Sequence, residues 1–338
     1  MKRGTTDLCL VLAVDKPSGM TSHDVVSRAR RIFGEKRIGH TGTLDPLASG
    51  VLPLCVGPAT RLDQFLTGHD KSYVVSVVFG AATDTDDCDG EVIRTGVVPD
   101  EVFDPFFASV FVGGLVGKSK QLPPVYSAIK VGGTKACDAA RKGRVIDLAP
   151  RGIEVYSAEL LGIGGADGTE PARWDIAFKV SKGTYIRALA RDIGNSLGCP
   201  AHVGALRRTA AGAIGIADCV TLEVLEEMGE RSALDPLKVL GMRFIYLDDA
   251  AAARVRNGNP LDGRAVELFE RRSVDPAAEL CACTAGVRPS CEPPQNGEVV
   301  ALVADNRIVA LYEYHVDKGR FAPRCVFPIG VSRGCSDL

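Results

Sequence analysis

The sequence predicts an α+β fold, in which a mixed, mainly antiparallel sheet with flanking helices is followed by a smaller β-rich unit. Trp174, Ile176, Phe178 and Val180 alternate with Arg173, Asp175, Ala177 and Lys179, the period of a half-buried strand in an antiparallel sheet. Two other stretches carry apolar residues at helical spacing, yet helices and strands do not alternate in the regular βαβ manner of a doubly wound sheet. A chain of 338 residues, 46% hydrophobic, can bury a substantial core and is long enough for about two domains.

In chain order, Leu8 to Val14 (LCLVLAV) follows Lys2 and Arg3 and superficially resembles a signal peptide. It is at the short limit for one, has Asp7 before it and lacks a clear cleavage site, so a buried strand is expected. Thr21 or Ser22 can cap a helix with Val25, Val26, Ala29, Ile32 and Phe33 on one face. Tyr73 to Phe79 (YVVSVVF) reads as a strand. From Thr184 a helix is expected, with Ile186, Leu189, Ala190, Ile193 and Leu197 in register and Gly198 at its C-terminal cap; Arg187 and Arg191 share another face. Composition changes after Val239: Arg256 to Pro260 is a turn, and Glu298 to Ala304 and Ile308 to Tyr314 are strands around Asp305-Asn306-Arg307. The boundaries drawn are 8–239 and 243–332.

Forty basic against 42 acidic residues leave a net charge of -2, so any nucleic-acid surface must come from clustered charge. Lys130 to Arg151 contains Lys130, Lys135, Arg141, Lys142, Arg144 and Arg151 against Asp138 and Asp147. Lys182 to Arg208 contains Lys182, Arg187, Arg191, Arg207 and Arg208 against Asp192. Each segment carries about +4 and could face phosphates.

Eleven cysteines scattered singly do not form a disulfide framework and indicate a reducing compartment. No run approaches the length of a membrane span, so a cytoplasmic protein without membrane contact is expected. The segment 281–294 holds Cys281, Cys283 and Cys291, which Cys325 or His315 could join, but the spacing is not the usual CxxC and no metal is assigned. Asp84 to Glu91 imitates the start of an EF-hand loop, but Asp89 stands where that loop requires glycine, which leaves an acidic turn facing solvent.

The chemistry concentrates at Gly39 to Pro53, GHTGTLDPLASGVLP, where a single carboxylate, Asp45, sits among conformationally special residues. Gly39, Gly42 and Gly50 can take positive φ, and Pro46 pushes Asp45 out of the helical region. Alone, Asp-Pro marks a turn. The chain has no Walker loop, no GxGxxG after a strand and no HExxH.

Four further segments stand in order around this loop: Asp15 to Ser22 (DKPSGMTS), Asp70 to Tyr73 (DKSY), Pro123 to Lys130 (PPVYSAIK) and Ser181 to Arg187 (SKGTYIR). Together they resemble the TruB family of tRNA pseudouridine synthases over roughly two thirds of the chain. The resemblance implies a cofactor-independent enzyme that isomerises uridine 55 in the T-loop of tRNA. Asp45 would be its catalytic residue, Arg187 the aspartate's partner, and Tyr73 the ring that packs on the base and takes the C5 proton. Tyr185 and Leu206 would line the base pocket, His40 would stand beside the flipped base, and Lys16 and Lys182 would contact phosphate or ribose.

The family also implies a PUA-like RNA-binding module at 243–332, from which the segment 281–294 departs. The expected partner is the tRNA T-stem-loop, with no guide RNA, no obligate protein partner and a monomeric chain. A rival reading keeps the scaffold as a non-catalytic RNA-binding protein or tRNA-folding chaperone; the joint presence of Asp45, Tyr73 and Arg187 argues for turnover. A glycosidase would require a second carboxylate that no motif supplies.

Overall fold

The computed structural model describes residues 6–127, 129–140, 142, 147–271 and 287–334. Its larger sheet has nine strands. The main path runs Leu10–Lys16, Ser49–Val56, Ala201–Ala211, Lys71–Phe79, Arg173–Val180, Arg151–Gly164 and Gly117–Gln121. Every pairing is antiparallel except that of Ser49–Val56 with Ala201–Ala211, as the alternating pattern predicts. Trp174, Ile176, Phe178 and Val180 all point into one core, and Val75, Val77 and Phe79 of the neighbouring strand join them.

That core is closed by the helix Ser22–Phe33, which buries Val25, Val26 and Ala29, and by Ile186–Ser196, which buries Ile186, Ala190 and Ile193. The first starts at Thr21 in a reciprocal capping box with Asp24 and stops at left-handed Gly34. Such a cap contributes about 1 kcal/mol and sets where the following loop departs.

The second sheet orders Leu261–Asp262, Arg320–Ser332, Arg307–His315, Val299–Ala304, Phe244–Tyr246, Phe269–Arg271 and Val287–Pro289. Its hairpin turns at Asp305 and Asn306, both at positive φ, as a tight two-residue turn requires. The two sheets do not merely touch. Cys9, Val11, Ala13, Val51 and Cys55 on the outer face of the first pack into one buried cluster with Phe244, Val303, Ile308, Leu311 and Phe327 of the second. Among the described residues no helix is long and apolar enough to cross a membrane.

Cys281 and Cys283 lie outside the described residues. Cys325 is buried in the shared core whereas Cys291 is exposed, and no group of three possible metal ligands occurs among the described residues.

Candidate active site

Asp45 is presented by a loop whose backbone is tied down on both sides. Ser22 Oγ donates to Leu44 O (3.0 Å) and accepts from Leu44 N (2.8 Å). Ser18 Oγ donates to Leu47 O, and Gly19 N to Pro46 O. Ala48 N donates to Asp45 O at 3.1 Å, so the Asp-Pro turn is real as well as being the site.

Arg208, 2% exposed, clamps the rest: its Nε, Nη1 and Nη2 donate to the carbonyls of Val51, Thr43 and Gly42. Gly42 and Gly50 take φ of 148° and 103°. A Cβ on Gly50 would stand 2.1 Å from Arg208 O, so the parallel strand contact itself demands glycine there. Gly39 departs from expectation, because it lies in the strand Ile38–His40 without positive φ.

Arg187 meets Asp45 along the edge of the carboxylate. Nε lies 2.9 Å from Oδ2, and Nη2 donates to Oδ1 at 3.1 Å. The guanidinium is 5% exposed, and its remaining donors are used on Tyr126 O (2.9 Å) and Thr85 O (2.8 Å), with Asp87 Oδ2 3.5 Å from Nη1. Upstream, Gln121 and the backbone of Tyr185 exchange two hydrogen bonds, which fixes the start of the Arg187 helix.

The acidic turn faces solvent as expected at Asp84, Asp89 and Glu91, but its middle turns inward. Asp87 is buried against Arg187, and Asp86 pairs with Arg191 at 2.9 Å. Burial pushes both carboxyls above their ordinary values, with the two arginines opposing that shift.

A cavity of about 710 Å³ opens over Asp45, within the range of small-molecule sites. Tyr73, Tyr185, Leu206, Arg187 and Lys182 line it, as does Lys71, which the sequence reading placed only within a motif. Lys71 Nζ donates to Thr67 O and His69 O, and burial pulls its ammonium down to about 8.

Two expected contacts are not in the cavity wall. His40 is half-buried in a strand paired with Ser49–Val56, and its Nδ1 faces Gly42 N at 3.4 Å. Burial, reinforced by Arg208, keeps the imidazole below its ordinary pKa.

Lys16 is fully buried, and Nζ donates to Pro17 O, Met20 O and Pro46 O at 2.9, 2.5 and 3.3 Å. It holds the loop rather than a phosphate. Lys16→Met leaves three inward carbonyls without this donor, and a stability loss of about 3 kcal/mol is expected in chemical denaturation. An unchanged midpoint with weakened RNA binding would return Lys16 to the substrate surface.

The charge of Lys182 to Arg208 is likewise spent internally. Arg187, Arg191 and Arg207 pair with Asp45, Asp86 and Asp15, and Arg208 is buried, which leaves Lys182 at the cavity mouth. In the other basic segment Arg141 and Arg144 lie outside the described residues.

Residues 30–186 match the TruB family pseudouridylate synthase N-terminal domain, and residues 187–240 match the tRNA pseudouridylate synthase B C-terminal domain. The chain is 42% identical over 254 residues to tRNA pseudouridine synthase B of Geobacillus thermodenitrificans, covering 73% of this chain and 84% of that protein. To the protein of the same name from Mycobacteroides abscessus it is 39% identical over 309 residues, covering 91% and 92%. Among solved structures, an H/ACA RNP bound to a substrate RNA containing 2'-deoxyuridine has a chain of the same fold. The TM-score is 0.62 at 23% identity, over 95% of this chain and 85% of that one.

Proposed function

The chain belongs to the TruB family of pseudouridylate synthases, and from that premise we propose that it isomerises uridine 55 of the tRNA T-loop, with Asp45 as the catalytic group acting on a base flipped into the cavity. It is a tRNA pseudouridine synthase.

The observation that carries the reading is a carboxylate gripped edge-on by Arg187 at the base of a cavity walled by Tyr73, Tyr185 and Leu206. The reaction breaks N1–C1′, turns the uracil and joins C5 to C1′; C5 gives up its proton and N1 takes one up, so no atom is gained or lost overall. An ionised carboxylate initiates it at the ribose, by attack on C1′ or by removal of the C2′ proton. Flat apolar walls let the detached ring turn while still enclosed, and Tyr73 is the group offered to the C5 proton.

Extruding a base costs a few kcal/mol that protein contacts must offset. His40, outside the cavity wall but two residues from Gly42, suits the space the base leaves rather than the base itself. Residues 8–239 form the catalytic unit in this reading and 243–332 an RNA-contacting PUA-like unit. The partner is the T-stem-loop, engaged by a monomeric cytoplasmic chain without guide RNA or obligate protein.

Tritium release from tRNA labelled at C5 of uridine tests the reading, with a transcript carrying cytidine at the T-loop position as control. Release from the uridine transcript and a stable background from the control is the expected result. Equal release from both would move the target elsewhere in the tRNA, and binding without release would leave the chaperone reading.

A further inference from the structure

Many of the described arginines face a carboxylate, and among those that do not, three gather at one place. Arg37, Arg61 and Arg307 are exposed and in no ion pair among the described residues. Each is aimed by bonds to neutral acceptors. Arg37 Nε donates to Thr60 Oγ1 at 2.9 Å, Arg61 Nη1 to Val326 O at 2.7 Å, and Arg307 Nη1 to Ile329 O at 3.2 Å and Gly330 O at 3.4 Å. The guanidiniums therefore have a fixed direction, and each keeps donors to spare.

They surround one seam between the two sheets, where Ser332 N donates to Cys9 O and Arg307 pairs in register with Ser332. The buried thiols there report the same crowding. Burial pushes Cys9 up to about 12 and Cys325 up as well, while Arg307 and Arg37 act against it at Cys9, and Arg61 and Arg37 at Cys325. The carboxylates on the same loops are engaged elsewhere. Glu35 accepts from Thr6 Oγ1 and Arg37 N, and Asp63 Oδ1 accepts from Thr67 Oγ1.

Arg61 stands two residues before Asp63, which with Gln64 and Thr67 forms the rim of the catalytic cavity. The short helical turn Gly57–Leu62 that carries Arg61 runs directly into the rim segment Asp63–Leu66.

Resting on the RNA-substrate reading above, we propose that Arg37, Arg61 and Arg307 form a phosphate-binding tract that carries the RNA backbone from the cavity rim onto the second sheet. The tract is sequence-independent, since guanidiniums on phosphates position a nucleic acid without reading its bases. It supplies affinity and leaves the chemical step untouched.

The test is binding of unmodified full-length tRNA transcript across a KCl series, comparing wild type with R37A/R61A/R307A. R256A/R288A/R324A serves as control, because those exposed arginines already face Asp305, Glu270 and Glu313. The slope of log affinity against log salt is expected to fall by roughly two to three in the first variant and by less than one in the control. Affinity at moderate salt should fall on the order of tenfold or more, with kcat at saturating tRNA retained.

Equal slopes in wild type and the tract variant, both with native melting curves, would overturn the proposal. Failure of the catalytic reading shows differently, as absence of tritium release from wild type, while the slope comparison depends on binding alone.

Discussion

Asp45→Asn is expected to abolish turnover, lowering tritium release on the order of 10⁴-fold, while tRNA affinity stays within a few fold. The substitution is nearly isosteric: the Asn oxygen can still accept from Arg187 Nη2 although its amide nitrogen then faces Nε, and the loop stays tied by Ser18, Ser22 and Arg208. What it loses is the anionic oxygen that attacks C1′ or takes the C2′ proton. Single-turnover assays at saturating enzyme separate this from weakened binding. If the variant instead lost its melting transition together with its tRNA affinity, Asp45 would be a structural residue of the loop.

Arg187 gives the second large effect, and two substitutions divide its roles. Arg187→Met leaves Asp87 buried without its cation and removes the donors to Thr85 O and Tyr126 O. A loss of about 3 kcal/mol or more is expected in denaturant titration, the usual result of orphaning a buried charge. Arg187→Lys retains the charge, but one ammonium cannot span Asp45, Asp87 and two carbonyls as a planar fork does. Turnover should fall on the order of 10²-fold for a carboxylate displaced by about 1 Å, with only a modest loss of stability. A Lys variant with wild-type kcat would show that Asp45 needs a nearby positive charge and no particular orientation.

The parts of this molecule legible from its sequence are those that local pattern determines. The strand Arg173–Val180 and the helix around Arg187 announce themselves through apolar spacing, and the Asp45 loop through its glycines and proline. The misread residues all depend on a distant partner. Asp86 and Asp87 look like a solvated turn until the fold brings Arg187 and Arg191 against them, about a hundred positions away. Only the charge complementarity between an acidic turn and an arginine-bearing helix could have signalled it. Lys16 looks like a surface lysine of a turn: its own turn supplies Pro17 O and Met20 O, but only the distant Asp45 loop adds Pro46 O and completes the burial of the ammonium. Arg208 looks like surface charge for the same reason, though Gly50 on the facing strand is the trace its close approach leaves.

The shared core between the sheets also bears on how such a chain is made. The strand Leu10–Lys16 long precedes Phe244, yet Val11 and Ala13 share their buried cluster with Phe244, Val303 and Phe327 as well as with the earlier Leu62, Leu66, Ile214 and Leu240, and Cys9 O waits for Ser332 N. Contacts of that sequence separation close late and slowly. Until the second sheet is made, the first thus carries an incompletely covered apolar flank, a surface of the kind that chaperones hold, and the strand Arg320–Ser332 stitches the seam closed.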